Sequence, residues 1–155
     1  MILLALDLGS TCGWATWDSE KKCVESGIVS FKLWRGESPG MRFLRFRKWL
    51  AETLDLIRPD IVYVEMPHHR GGYATSLLIG FHTRVEEECA RLNIPYSSVH
   101  TATLKKFIAG NGRASKDEVR EAVVKKFPDI VIIDDNHADA LALLLYGKED
   151  SLVVR

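Results

Sequence analysis

Ile61-Val-Tyr-Val-Glu-Met-Pro-His-His-Arg-Gly-Gly72 reads as a short buried strand that ends in a carboxylate and breaks into a loop. The apolar run is rich in β-branched and aromatic residues, which suits a strand covered on both faces, and Pro67 with the two glycines ends it. Glu65 stands at the tip, where an unpaired charge is costly to keep beside a core. Two further stretches pose the same problem. Ile2-Leu-Leu-Ala-Leu-Asp7 is a second apolar run closed by an acid, and Asp134-Asp-Asn-His-Ala-Asp139 opens an apolar helical pattern with acids.

The chain has 155 residues, a length that predicts one domain over 1–155 with a real core. Hydrophobic residues make up 46% and charged residues 27%, ordinary for a globular protein. Basic and acidic residues number 21 each, so bulk charge announces no nucleic-acid partner, and local clusters have to carry that reading. Cys12, Cys23 and Cys89 have no zinc-ligand spacing, and reduced thiols in the cytoplasm are the expectation. No apolar run reaches the roughly 20 residues that span a bilayer, so no membrane association is expected. The first residues read as a strand, not as a signal peptide.

Working outward, residues 2–7, 13–17 and 23–31 predict three strands, with Asp18-Ser-Glu-Lys-Lys22 as a hairpin turn in an antiparallel meander. Trp14 and Trp17 on the second strand read as core. Phe43, Phe46, Leu50, Leu54 and Ile57 recur at helical spacing, and Arg58-Pro59 ends that helix. A helix over 73–92 and a strand over 95–99 follow. Helices over about 101–109 and 115–126 flank Gly110-Asn-Gly112, with Ser115 and Glu118 as a capping box. Ile130–Ile133 predicts a short extended segment. The last helix is expected from Asp135 to about Tyr146, with Gly147 as its stop and a loosely held tail from Glu149. The order predicts an α/β domain with a mixed sheet flanked by helices.

In such folds, strand C-terminal ends and helix N-termini are where sites collect. If the two acid-tipped strands are neighbours, Asp7 and Glu65 repel each other and one pKa rises. A divalent cation removes the conflict, and oxygen-only ligands favour Mg²⁺, with Mn²⁺ as substitute, over zinc. Asp135 and Asp139 are four apart and share a helix face; Asn136 and Asp139 nearly do. Four carboxylates around two Mg²⁺ ions, about 3.5–4 Å apart, suit phosphodiester hydrolysis. Taken singly, each acid has a plainer reading, as a loop start or a partner of the helix dipole.

Asp7-Leu-Gly-Ser-Thr-Cys-Gly-Trp-Ala15, the Val64-Glu65 strand end, Leu104-Lys-Lys-Phe-Ile-Ala-Gly-Asn-Gly-Arg-Ala-Ser-Lys116 and Ala138-Asp-Ala-Leu-Ala-Leu143 resemble, in this order, the motifs of the RuvC family of Holliday-junction resolvases. The resemblance covers about residues 1–147. It implies an RNase H-like fold with a five-stranded mixed sheet, and a Mg²⁺-dependent homodimer that nicks four-way and other branched DNA in pairs. The compact length is similar to that of phage and prophage members. Asp7, Glu65 and Asp139 match three metal-binding acids. Where the family has Asp or His three residues before the last acid, this chain has Asn136. Asp135 is therefore the expected fourth ligand and catalytic acid, with Asn136 second and His137 third. Lys105 and Lys116 match DNA-contacting residues, and with Lys106 and Arg113 they form a basic patch at the Gly-Asn-Gly turn. In the loop after Glu65, Tyr73 is expected to stack on an unpaired base, and His68, His69 and Arg70 to meet phosphate.

Three rival readings follow from the same residues. One is an RNase H-like nuclease acting on forks or RNA. Another is a junction-binding protein that does not cut, which Asn136 makes conceivable. The third is an actin-like ATP-binding fold, suggested by Asp7-Leu-Gly-Ser-Thr11 ahead of a β-hairpin; it requires a second Asp-x-Gly loop, which the chain lacks.

Overall fold

The computed structural model describes residues 1–67 and 71–153. Strands β1 (Ile2–Asp7), β2 (Thr11–Asp18) and β3 (Cys23–Ser30) form the expected antiparallel meander. Helix α1 (Gly40–Ile57) leads to β4 (Ile61–Glu65), α2 (Gly72–Leu92) and β5 (Tyr96–Val99). Three helices close the chain: α3 (Thr101–Ala109), α4 (Lys116–Lys126) and α5 (Asp135–Val153). The five strands lie in the order β3-β2-β1-β4-β5, with β1, β4 and β5 parallel. This is the mixed sheet that the sequence predicts.

Alternation along β1 assigns its side chains to two cores. Leu3 and Ala5 join Tyr63 and the α3–α5 helices on one face; Leu4, Leu6 and Leu8 join Phe46, Leu50 and Phe81 of α1 and α2 on the other. Both faces are therefore covered, which explains the unbroken apolar runs of β1 and β4. The apolar stripe of α1 faces inward: Phe46 and Leu50 are fully buried, so this stripe is core. Trp14 packs on the α1/α2 side and Trp17 on the α5 side. At the C-terminus of α1, Arg58 adopts the left-handed conformation just before Pro59. The capping box of α4 forms as the sequence predicts, with Ser115 Oγ accepting from Glu118 N and the Glu118 carboxylate accepting from Ser115 N.

The segment Ile130–Ile133, expected to be short and extended, lies outside the sheet. Its apolar side chains do alternate, with Ile130 and Ile132 packed inward and Val131 exposed. Its backbone groups, however, are taken by other partners: Ile130 N donates to Phe127 O, Ile132 O accepts from Arg120, and Ile133 N donates to His137 Nδ1. One expectation is corrected: α5 does not stop at Gly147 but runs to Val153, so residues 149–153 are helical. Gly147 is needed for space, since a Cβ there would sit 2.7 Å from the Tyr63 ring. The turn that follows is tied down by the Tyr63 hydroxyl, which donates to Asp150 Oδ2 and shares a hydrogen bond with Ser151 Oγ. No helix among the described residues is long and apolar enough to cross a membrane.

Candidate active site

The register pairs Leu6 with Val64 on neighbouring parallel strands, so Asp7 and Glu65 stand level, about one strand spacing (~4.8 Å) apart. Alternation sends both to the same face as Leu3, Ala5 and Tyr63, which is the face α5 covers. Helix α5 lies close because its sheet-facing side is rich in small residues, with Ala138, Ala140 and Ala142 buried beside Leu141 and Leu144. Its first turn is fixed at three points. Asp134 Oδ1 accepts from His137 N; His137 Nε2 is 2.8 Å from Ser26 Oγ on β3; and Gly13 on β2 leaves room for the Asn136 carbonyl. The result brings Asp139 to Asp7 and Glu65.

The electrostatics record this convergence. Burial pushes the Asp7 carboxyl well above the ordinary carboxylate range, Asp139 and then Glu65 push it further, and Lys116 opposes them. Burial and then the Glu65 charge raise Asp139 to about 6, again against Lys116. Thr101, at the start of α3, donates a short hydrogen bond to Glu65 Oε1 and orients it. Glu65, Thr101, Lys105, Lys116 and Asp139 line a cleft of about 240 Å³, and Asp7 and Glu65 also line a smaller hollow of about 70 Å³ toward Pro67. A larger hollow of about 630 Å³ between α1 and α2 lies away from these acids.

The other expected residues fall as follows. Asp135 does not line the cleft; it forms ion pairs with Lys116 Nζ (3.6 Å) and Arg120 Nη1 (3.7 Å). Its charge still reaches Asp139. The Asn136 side-chain amide donates to Asp134 Oδ2. His137 is buried and used at both ring nitrogens, by Ile133 N and Ser26 Oγ, so it is a brace for α5 and not a ligand. Lys106, Arg113 and Lys116 are exposed and Lys105 is half-buried. Tyr73 is exposed in the first turn of α2. His68, His69 and Arg70 lie outside the described residues. Thr101 and Arg120 went unnoticed in the sequence, and Asp134 stood out only as part of the acidic stretch, not as the acceptor for His137 N. Thr101, four residues before Lys105 and just after a strand, carried a readable signal.

Among the described residues, no three His, Cys, Asp or Glu side chains close into a ready metal cage. What the frame supplies is a set of oxygen donors on rigid elements whose negative charges raise one another's pKa. That excess fits a divalent cation, the countercharge that Lys116 provides only in part. A pH prediction follows. A carboxyl whose folded pKa lies above its unfolded value stabilises the fold at low pH and loses that contribution as pH rises through the folded pKa. In EDTA, Asp139 therefore costs up to about 3 kcal/mol by pH 7 relative to pH 4, and Asp7 acts in the same direction. The melting temperature in EDTA should fall between pH 4.5 and 7, and millimolar Mg²⁺ or Mn²⁺ at pH 7 should restore it. A shallower profile in Asp139→Asn, with the remainder due to Asp7, would confirm the source; an unchanged slope would refute it.

No protein-family model matches the chain. The crossover junction endodeoxyribonuclease RuvC of Synechococcus sp. (strain RCC307) is 30% identical over 130 residues, which cover 81% of this chain and 79% of that protein. RuvC of Prochlorococcus marinus (strain MIT 9211) is 26% identical over 160 aligned positions, with full coverage of both. Thermus thermophilus RuvC superposes with a TM-score of 0.81 at 21% identity, over 99% of this chain and 97% of that one. The T. thermophilus RuvC structure in complex with Holliday junction substrate gives 0.79 at 22% identity, over 97% of both chains.

Proposed function

The chain belongs to the RuvC family of crossover junction endodeoxyribonucleases, and from that premise we propose that it resolves four-way DNA junctions by paired, Mg²⁺-dependent nicks. The observation that carries this reading is the placement of Asp7 and Glu65 level on the two central strands, facing Asp139 across a cleft rimmed by lysines. Asp7, Glu65 and Asp139 hold the metal. Bound divalent cations would activate water and offset charge on the scissile phosphate. Thr101 orients Glu65 toward that task. Lys105 and Lys116 meet the backbone beside the scissile phosphate, and Lys106 and Arg113 extend the contact along it. Asp135 is the fourth ligand. Lys116 and Arg120 hold it beside the cleft, and a phosphate that draws Lys116 away frees it to turn inward.

Paired nicks require two active sites, so the working form is a homodimer of single-domain protomers. With the apolar stripe of α1 committed to the core, α2 is the surface we assign to pairing; its exposed Ile79 supports this. The three cysteines carry no disulfide, which suits work on DNA in a reducing cytoplasm. Tyr73 stands exposed beside the loop after Glu65 and serves as a stacking residue, with Arg70 as its phosphate partner.

The test is cleavage of labelled four-way junctions, forks, flaps and RNA duplexes with Mg²⁺, Mn²⁺, Ca²⁺ or EDTA in parallel. We expect symmetrical nicks in junctions with Mg²⁺ or Mn²⁺ and none with EDTA. Faster cutting of forks or RNA would reassign the substrate. Tight junction binding without cleavage in any metal would favour the non-cutting reading, for which Asn136 in place of an acid is the specific ground. Lys116→Gln should weaken junction binding similarly for all sequences and reduce the salt slope by about 1.

A further inference from the structure

The acids open onto the edge of the sheet where β1 ends, and the lysines of α3 and α4 occupy only one side of it. The other side is formed by the β1–β2 turn, the segment 31–39 and the start of α1. β3 runs parallel to β1, and Thr11 pairs with Ser30, so the chain leaving β3 emerges at this same edge. Phe31 N donates to Ser10 O and fastens the two segments together. Helix α1 therefore begins beside the turn that follows Asp7.

Arg42, in the first turn of α1, is anchored there through Nη1, which donates to Ser10 Oγ (3.2 Å). Its Nε is buried and has no hydrogen-bond partner among the described residues. The neighbouring arginines of α1 differ. Arg45 is neutralised by Glu37, and Arg47 pairs with Glu88. Arg42 forms no ion pair among the described residues, although it carries five donors in a fixed fork. A guanidinium anchored on Ser10, which lies three residues after Asp7, with donors unspent, is built for an anion.

The same edge presents an aromatic. Trp34 is 73% exposed, yet its backbone is tightly held: Trp34 N donates to Glu37 Oε2 (2.7 Å) and Glu37 N donates back to Trp34 O (3.2 Å). Arg45 lies 4.6 Å over the indole and also donates to Lys32 O. A large ring fixed in place and left in solvent loses little freedom on stacking. Lys32 and Arg35, both exposed, flank it.

We propose that Ser10, Arg42 and Trp34 form a second DNA contact, on the side of the acids opposite Lys105 and Lys116. Arg42 and Ser10 take a backbone phosphate, and Trp34 stacks on a base unpaired near the branch point. This rests on the nuclease reading. Two tracks, one on each side of the acids, hold the strand at two points and fix which phosphate enters the cleft.

The test is equilibrium binding of a labelled junction in Ca²⁺ across a salt series, with melting curves for every variant. Arg42→Gln should bind about tenfold more weakly, with a salt slope reduced by about 1, and Arg42→Lys should keep the parent slope. Trp34→Ala should lose on the order of 5- to 100-fold in affinity for a junction and less for a linear duplex. Trp34→Phe should remove most of the junction-induced quenching of intrinsic fluorescence. Lys48→Gln, which removes the same charge from exposed α1 surface, should bind like the parent. Parent-like slopes in Arg42→Gln, or parent-like affinity in Trp34→Ala, would overturn the proposal while junction cleavage by the parent leaves the nuclease reading standing. A parent chain that binds no DNA overturns both.

Discussion

Asp7→Asn should abolish junction cleavage and at the same time make the chain more stable in EDTA. The expected loss in rate is on the order of 10³-fold or more, because removing one electrostatic stabiliser already costs that much at other sites and in the proposed site Asp7 would support every metal-dependent step. The gain in stability has a separate cause. Asp7 is held against burial and against the charges of Asp139 and Glu65, with Lys116 the main relief. Asn keeps the shape and removes the charge. The melting temperature in EDTA at pH 7 should rise by several degrees, since 1 kcal/mol moves a chain of this size by roughly 2–4 °C. Mg²⁺ should stabilise the parent and leave the variant nearly unmoved. A variant that cuts like the parent would remove Asp7 from the site. A variant that is inactive but less stable in EDTA would mean that the acids are not in conflict.

Gly13→Ala is the second large effect. An ideal Cβ at this position would lie 1.9 Å from the Asn136 carbonyl oxygen and 2.5 Å from its carbon, where real Cβ contacts almost never fall under 3.0 Å. Both obstacles are backbone, so no rotamer relieves the clash. The first turn of α5 must retreat by more than 1 Å, and the His137–Ser26 bond stretches with it. The expected loss is about 3 kcal/mol or more in urea unfolding, at the upper end for overpacking. Cleavage should fall by about 10²-fold beyond what unfolding explains, because a 1 Å misplacement of a catalytic group costs that much. Gly147→Ala is the control. Its Cβ meets the Tyr63 ring at 2.7 Å, far along α5 from the acids. It should destabilise the fold yet keep turnover in the folded fraction. Parent-like cleavage by Gly13→Ala would show that the α5 acids need no such close seat.

Most of the frame was legible because its signals are local. Continuous apolar runs marked β1 and β4 as central strands, helical spacing marked α1, and Ser115 with Glu118 marked the start of α4. Asp7, Glu65 and Asp139 stood out as acids at element ends. Lys116 occupies the first turn of α4, where a cation opposes the helix dipole, and that cost is itself a functional signal. The misreadings share one origin. Gly147 usually means a stop, but here the distant Tyr63 ring packs where a side chain would stand and the helix runs on. His137 read as a spare ligand because its partner, Ser26, is 111 residues away.

The sequence by itself determined which residues become strands and helices, where the acids sit on them, and which chemistry an all-oxygen donor set suits. Those are properties of periodicity, capping and side-chain type, each settled within a few positions along the chain. Only the tertiary structure decided that β1 and β4 are level neighbours, that α5 seats against Gly13, and that Asp135 turns to Lys116 and Arg120 while Arg42 has no acid beside it among the described residues. Register, close approach and the pairing of charges depend on which surfaces meet, and that is a property of the packed sheet and helices together.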